Sequence, residues 1–195
     1  MSAKSIEDFK SALSYGGIRP TMYEVSFSLP ESLVNNTDAQ VSDIRTFTML
    51  AKAAQVPGEI LTTVTVGLPA GGALKLPGSR IYDPWTCTLI TDGHMRLRTL
   101  FELWGDRIIS RNASLRELDE TAYLSEVDIV QLDRMSNPLR KYTLHYAYPT
   151  SIAPMQLSYD AVDMISEYTL QWNYHYYTAQ SANEDGTFTA ESNLT

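Results

Sequence analysis

Alternating apolar and polar residues recur along most of the chain and predict β-strands. In residues 22–29, Tyr23, Val25 and Phe27 fall on one face of the predicted strand, and Glu24 and Ser26 fall on the other. Because successive side chains of a strand point to opposite faces, this period of two indicates a sheet with one apolar side. The same pattern predicts strands at residues 44–51, 60–66, 74–82, 85–91, 122–132, 140–148 and 167–178.

Two segments have helical spacing instead. Ile6, Phe9 and Leu13 predict a short N-terminal helix. A longer helix is predicted to begin near Asp92, which would act as its N-cap. Its apolar side repeats at helical intervals through Leu97, Leu100, Phe101, Trp104 and Ile108. The polar residues 30–43 predict a long surface loop between strands.

These elements together predict a mainly β fold. The expected architecture is an antiparallel β-barrel or sandwich with one flanking α-helix and a short N-terminal helix. The chain has 195 residues, a length that fits one domain, expected over residues 1–178. The small, polar and acidic residues 179–195 predict a C-terminal tail that is flexible or ordered by neighbouring subunits.

Charge and cysteine content exclude several classes of protein. The net charge is −8, from 15 basic and 23 acidic residues, which argues against a conventional nucleic-acid binder with a basic surface. The single cysteine, Cys87, excludes an internal disulfide and a Cys-rich zinc site. We expect a soluble, non-secreted protein without a membrane anchor, because no apolar run has the length of a signal peptide or a membrane span.

The glycine- and proline-rich residues 68–93 raise the question of phosphate binding. A phosphate loop needs a lysine after its last glycine, and Gly78 is followed by serine. Cys87 lies between Trp85 and Leu89 in a predicted apolar strand, which favours a buried thiol. The three histidines lack metal-ligand spacing. We therefore predict no catalytic, cofactor-binding or metal-binding residue, although a composite site assembled from distant strands stays open.

The order of motifs in residues 56–108 and 148–177 resembles that of the tail tube proteins of contractile-tailed bacteriophages. In that family, a strand and a Pro/Gly linker precede an Arg-aromatic-Trp element. An Asp-opened helix ending near a tryptophan comes next, and then a Pro-Leu-Asp step before a final aromatic strand. The matching residues here are Gly78, Arg80, Tyr82, Trp85, Asp92, Trp104, Pro149, Leu157 and Asp160.

The resemblance implies a structural virion protein and no enzyme. Such subunits form hexameric rings that stack into the hollow inner tail tube, through which the genome is delivered when the sheath contracts. The implied partners are further copies of the chain, the sheath, baseplate and tail terminator proteins, and a tape-measure protein in the lumen. DNA would pass without specific binding, no cofactor is implied, and assembly would take place in the host cytoplasm.

Residue-level expectations follow for the lumen and for ring stacking. An acidic subunit repeated around a bore would repel DNA phosphates, so that DNA slides without sticking. Polar positions in two predicted strands suit a wet wall: Thr46, Thr48, Thr62 and Thr65. For contacts between rings or subunits we expect the N-terminal segment, the polar tail and the linker Val56, Pro57, Gly58 and Glu59.

Two kinds of alternative stay open. Within the same fold, the chain could be a baseplate tube-initiator or the inner-tube subunit of a phage-derived contractile injection device. From another class, it could be a small-ligand-binding β-barrel or a hydrolase with a composite site. A pocket with converging polar groups would favour that second class.

Overall fold

The computed structural model describes residues 6–13, 17–34, 41–69, 71–110, 120–183 and 187–189. Within these ranges, the elements follow in the order α1 (Ile6–Ala12), β1 (Tyr23–Phe27), α2 (Glu31–Val34), α3 (Val41–Leu50), β2 (Ala51–Ala54), β3 (Glu59–Gly67), β4 (Ala73–Tyr82), β5 (Trp85–Ile90), α4 (Arg96–Ile108), α5 (Glu120–Tyr123), β6 (Ser125–Leu132), β7 (Pro138–Ile152), β8 (Glu167–Asn173) and β9 (Tyr176–Ser181). None of these helices has the length and hydropathy needed to cross a membrane.

Two antiparallel sheets share the long strand β7. Its first half pairs with β6 along one edge and with β9 along the other, and β1 extends the sheet beyond β6. Its second half pairs with β8, which continues to β5 and then to β2. The pairing among the described strands stays open, so the fold is sandwich-like rather than a closed barrel. The prediction of a mainly β, antiparallel fold is confirmed.

Aromatic side chains fill the space that the two sheets enclose with α3 and α4. The Phe27 ring of β1 lies 4.8 Å from Phe47 of α3, and 5.9 Å from both Trp104 of α4 and Trp172 of β8, measured between ring centroids. Trp104 and Trp172 meet edge to face at 5.3 Å. Large buried aromatic rings dominate the energetics of such a core, so these contacts fix the sheets against the helices.

The strand predicted at residues 44–51 is wrong, because most of this segment is the helix α3. Ile44, Phe47 and Leu50 face the core at intervals of three residues, which a helix also satisfies. The Thr48 hydroxyl donates to the Ile44 carbonyl one turn earlier, at 3.2 Å. Short apolar runs fit both periods, and the packing of Phe47 against Phe27 decides for the helix. The loop predicted at residues 30–43 likewise contains α2 and the start of α3.

The continuous strand predicted at residues 167–178 is also wrong, because the chain leaves β8 after Asn173 and re-enters a sheet at Tyr176. A bulge on β7 also breaks the regular alternation of the strand predicted at residues 140–148. Tyr146 adopts a left-handed φ of 56°, and the pairing register with β6 shifts by one residue there. As a result Tyr146 is 49% exposed, and its neighbour Ala147 takes the buried position.

Helix boundaries differ from the prediction in two places. The long helix begins at Arg96, and its cap residue is Met95 in a left-handed conformation (φ 52°), so Asp92 is not the N-cap. The Asp92 carboxylate still accepts the Arg96 backbone N–H at 3.2 Å. The strand predicted at 122–132 begins with the short helix α5 and becomes β6 only at Ser125.

Candidate functional site

The outward side of the first sheet is a polar surface built from strands that are far apart in the sequence. Cross-strand register aligns Ser26, Asp128, Thr143 and Thr178 in one row across β1, β6, β7 and β9. We call this surface the acid face, and its polar members are Glu24, Ser26, Glu126, Asp128, Lys141, Thr143, His145, Tyr176, Thr178 and Gln180, with Val130 between Glu24 and Lys141. The opposite side of the same strands carries the core residues Val25, Phe27, Val127, Ile129 and Leu144.

Hydrogen bonds hold the side chains of the acid face in place. The Asp128 carboxylate accepts the Thr143 hydroxyl at 2.7 Å and the Lys141 ammonium at 3.0 Å. The His145 ring lies 3.0 Å from a Glu126 carboxylate oxygen through Nδ1 and 2.9 Å from the Thr178 hydroxyl through Nε2. Anchored side chains of this kind form a fixed wall, since their polar atoms are already satisfied by neighbours.

The outward side of the second sheet has a different chemistry. Uncharged side chains occupy its central rows, and the Thr88 and Thr169 hydroxyls lie 3.2 Å apart across β5 and β8. We call this surface the neutral face, and its central members are Thr86, Thr88, Ser151, Thr169 and Gln171. The ion pair of Lys52 with Glu167 lies on the same side of the sheet, so its charges cancel. The fold therefore presents one acidic and one neutral polar wall on its two sides.

β3 and β4 form a separate two-stranded hairpin whose surface is almost entirely open to solvent. Cross-strand register pairs Val64 with Leu76 and Val66 with Leu74. With the pair of Ile60 and Ile81 they form one face of the hairpin, and all six side chains are 43–52% exposed. An isolated hairpin is at best marginally stable in water, and neighbouring exposed apolar side chains of this kind are typical of interaction surfaces.

The root of the hairpin is fixed to the body by aromatic and charged contacts. The Tyr82 ring lies 5.7 Å from the rings of both Tyr174 and Tyr177. Burial raises the pKa of Tyr174 to about 12, so this hydroxyl stays protonated. A hydrogen bond with Tyr82, and then the Glu59 carboxylate at 3.2 Å, raise the pKa of Arg80.

The segment predicted to contact other subunits, Val56 to Glu59, leads from β2 into this root. Val56 is exposed and Pro57 is buried. The Gln55 carbonyl just before them accepts the Trp85 indole N–H at 2.6 Å. This hydrogen bond joins the chain just before the hairpin to the chain just after it. The contact role of Val56, Pro57, Gly58 and Glu59 stays a prediction.

Residues 153–166, between β7 and β8, form a second exposed apolar surface. Most of them line an open surface depression of about 1240 Å³, together with Lys52, Ile90 and Glu167. Leu157 is 88% exposed, and Tyr159, Val162, Met164 and Ile165 are also largely open to solvent. Leu157 and Asp160, two residues of the family-like motif, lie here, whereas Trp85, Trp104 and Pro149 of the same motif are buried. The motif thus combines core positions with one exposed segment.

The four threonines predicted to line a lumen lie on two different elements. Thr46 and Thr48 belong to the helix α3, so they are not the polar positions of a strand, as the sequence had predicted. Thr62 and Thr65 belong to the hairpin, where the Thr62 hydroxyl donates to the Ser79 carbonyl at 2.9 Å. The lumen role of all four stays a prediction. Sequence reasoning missed the acid face, although the polar alternates Glu24, Ser26, Lys141, Thr143 and His145 were a usable signal.

Neither the thiol nor the metal-ligating side chains of the described residues form a reactive site. Cys87 is buried, and burial raises the pKa of its thiol to about 12, so it is a neutral and poor nucleophile. Among all the residues that the structure describes, no group of three or more His, Cys, Asp or Glu side chains is placed to hold a metal ion. Large aromatic side chains occupy the interior, since Trp85, Trp104, Trp172, Phe47 and Phe101 are all buried.

Comparison with known proteins connects these surfaces to a family. The family model described as phage tail tube protein matches residues 18–180. A tail tube protein of Serratia phage KSP90 is 25% identical over 177 residues, which cover 87% of this chain and 94% of that protein.

Two solved assemblies contain chains of similar fold. One is the 6-fold symmetrised baseplate of the anti-feeding prophage (TM-score 0.61, 15% identity, 84% of this chain and 95% of that chain). The other is the sheath–tube complex of the PVC extracellular contractile injection system (TM-score 0.58, 14% identity, 88% and 97%).

Proposed function

The chain belongs to the phage tail tube protein family, and from this premise we propose that it is the repeating subunit of a hollow tail tube built from stacked rings of six copies. The tube encloses the path of the genome, and the subunit carries out no chemical turnover. The observation that carries the proposal is the division of the surface into two polar walls and two exposed apolar segments, because a ring-forming subunit needs an inner side, an outer side and contacts to its neighbours.

We propose that the acid face lines the bore. The face carries the carboxylates of Glu24, Glu126 and Asp128 against one ammonium, that of Lys141. With His145 neutral the net charge of the face is −2. A negatively charged wall repels the DNA phosphates. It offers few cations that could neutralise phosphates and bind DNA by releasing counterions, so the DNA can slide. Side chains fixed by their own hydrogen bonds also leave few free donors for a passing phosphate.

The edges of the first sheet support ring closure. β1 and β9 are its two outer strands, and each has one long edge without a partner strand among the described strands. At the end of β9 the Ser181 carbonyl accepts the Thr189 backbone N–H at 3.1 Å. Unpaired edges invite pairing with another chain, and closing a sheet on itself removes them. Joining β9 of one copy to β1 of the next would continue the acid face around a ring. The neutral face would then point outwards, towards the sheath protein.

Two related roles fit the same fold. A baseplate tube-initiator and the inner tube of an injection device that carries protein cargo both use stacked subunits of this kind, and the similarity to the anti-feeding prophage baseplate chain supports them as the second candidates. A ligand-binding barrel is disfavoured, because the aromatic residues Trp104, Trp172 and Phe47 occupy the interior where a ligand would lie.

Electron microscopy of the purified protein tests the proposal. We expect six-fold rings or hollow rods at high protein concentration, and incorporation along the whole tube of virions that are complemented with a tagged copy. A particle that stays monomeric at every concentration and never enters tails would refute the tube role. Labelling restricted to the end of the tail would favour the tube-initiator instead.

A further inference from the structure

We propose that residues 187–189, which we call the C-terminal segment, cover the outer edge of β9 in the single subunit and leave that edge when a ring closes. This inference rests on the proposed tube function, in which β9 of one copy joins β1 of the next. It concerns the regulation of that contact, because the C-terminal segment and β1 of the next copy compete for the same place.

The C-terminal segment lies on the side of β9 that faces away from β7. The Ala182 backbone N–H donates to the Leu139 carbonyl, on the β7 side, at 3.0 Å. Since successive residues of a strand direct their backbone groups to opposite edges, the Ser181 backbone faces the outer edge. Its carbonyl accepts both the Thr189 backbone N–H, at 3.1 Å, and the Thr189 hydroxyl, at 3.0 Å. The segment therefore occupies one end of the edge that ring closure needs.

Further contacts bind the C-terminal segment as a short antiparallel strand would be bound. Ala182 pairs with Phe188, and the Asn183 backbone N–H donates to the Thr187 carbonyl at 2.7 Å. The Lys141 ammonium lies 5.8 Å from the centre of the Phe188 ring, a distance at which a cation is attracted to an aromatic face. Backbone pairing and one side-chain contact thus hold the segment in place.

β1 of the next copy would approach this edge in the same direction. β6 and β9 both run antiparallel to β7, and β1 runs antiparallel to β6, so β1 runs in the direction of β7. Rotation about a ring axis keeps the sense of a strand along that axis. β1 of the next copy therefore meets β9 in antiparallel orientation, and the C-terminal segment is antiparallel to β9 as well.

A single strand fits beside β9 on this side. Neighbouring strands lie about 4.8 Å apart, so Thr189 lies where β1 of the next copy would lie. The alternation along β9 directs the backbone groups of Tyr177, Ala179 and Ser181 to the outer edge. The C-terminal segment takes Ser181, whereas β1, with its five residues, can pair with each of these positions once the segment has left.

The contacts of the C-terminal segment are weak enough to be replaced. Asn183, Thr187 and Thr189 are exposed, and a two-stranded hairpin on its own is at best marginally stable in water. Covering a sheet edge is one way in which proteins avoid unwanted strand pairing. The subunit should therefore resist ring formation in dilute solution. It should join a ring where contacts with other copies raise the effective concentration of β1.

A disulfide that locks the C-terminal segment on β9 tests the proposal in the full-length protein. Ala182 and Phe188 are a non-hydrogen-bonded pair, because the backbone hydrogen bonds join the residues on either side of them. The Cα atoms of such a pair lie about 4.5 Å apart, a distance that a disulfide can span. In a Cys87→Ala background, Ala182→Cys with Phe188→Cys should therefore form a disulfide within one copy.

The oxidised and reduced forms of this variant are then compared. The oxidised form should stay monomeric at concentrations roughly ten-fold above those at which the reduced form makes rings, as measured by sedimentation and electron microscopy. Adding a reductant to the oxidised form should start ring formation. Ala182→Cys alone, in the same background, should assemble equally well with and without the oxidant.

A second variant removes the cover. Thr189→Pro deletes the N–H and the hydroxyl that bind Ser181, and it should lower the concentration needed for ring formation roughly ten-fold. Thr189→Ser keeps both donors and is the matched control, which should assemble as the unmodified protein does. If the oxidised cysteine pair makes rings as readily as the reduced pair, and Thr189→Pro assembles no better than Thr189→Ser, the cover on β9 is refuted and the tube function stands. If the unmodified protein, the reduced pair and Thr189→Pro all stay monomeric at every concentration, the tube function itself fails.

Discussion

Reversing the charge of the acid face tests whether this wall lines the bore. Its net charge of −2 per copy becomes about −12 in a ring of six. Glu24→Gln with Glu126→Gln brings the face to zero, and Glu24→Lys with Glu126→Lys brings it to about +12 per ring. Both native side chains are exposed, and in Glu126→Gln the side-chain carbonyl can still accept the His145 N–H, so the sheet itself should tolerate the changes.

The lysine variant should slow DNA release, because each ammonium that neutralises a phosphate adds about 0.9 to the slope of log affinity against log salt. Ten-fold slower movement requires only about 1.4 kcal/mol of added retention. We therefore expect at least a roughly ten-fold slower ejection at about 50 mM salt. Raising the salt should restore the rate, since screening acts over about 8 Å or less above physiological ionic strength. The glutamine variant should eject at nearly the normal rate.

Release can be followed in vitro with a dye that fluoresces on DNA outside the capsid, after the tails of each variant have been checked for normal length. Thr86→Lys with Ser151→Lys adds two positive charges to the neutral face, the same change in net charge as the glutamine pair, and should not affect release. Normal ejection by the Glu24→Lys, Glu126→Lys variant, together with slow ejection by this control, would show that the neutral face lines the bore.

Three further predictions concern the fold and the hairpin. Gly78→Ala should disorder the hairpin, because the added Cβ would lie 2.5 Å from the Thr62 hydroxyl oxygen and 3.1 Å from the Thr62 carbonyl oxygen. Protease cleavage within residues 59–82 should therefore increase. Gly67→Ala, where the added Cβ meets open space, should leave the cleavage unchanged. Trp104→Phe should lower the free energy of unfolding, measured in urea titrations, by about 1–2 kcal/mol more than Trp172→Phe does. The reason is that the Trp104 indole N–H donates to the Tyr123 carbonyl at 2.9 Å, whereas the buried Trp172 N–H lacks an acceptor among the described residues. Equal losses would contradict this. Stability should fall as the pH rises from about 9 towards 12, because Cys87 and Tyr174 are held neutral when folded, with pKa values of about 12, and ionise more easily when unfolded. Cys87→Ala should flatten the decline, and an unchanged slope would rule out the thiol as a contributor.

The sequence predicts the fold class because the decisive signals are local. Trp85, Cys87 and Leu89 alternate along one strand, and the structure places all three in the core. The helix α4 is likewise recognisable from the spacing of Leu97 and Trp104, both of which are buried. In each case a single element carries its whole pattern within a few residues.

The errors arise where distant contacts decide the local structure. Residues 44–50 suit a strand and a helix equally, and the choice depends on a hydrophobic site formed by Phe27 and Phe101, which belong to β1 and α4. The aromatic alternation runs through Tyr174 and Tyr176 without a visible break, yet the chain changes sheets between them. The acid face also depends on distant contacts, because its members come together only when β1, β6, β7 and β9 pair in the sheet.

The sharing of β7 between the two sheets has a mechanical consequence. If the proposed bore and outer wall lie on the two sheets, a force applied to the outside of the tube reaches the inside through one unbroken polypeptide segment, Pro138–Ile152. Covalent bonds and the hydrogen bonds to β6, β8 and β9 then carry the load, in addition to side-chain packing. A wall of this construction resists shear between its layers, as a rod driven lengthwise against a barrier requires.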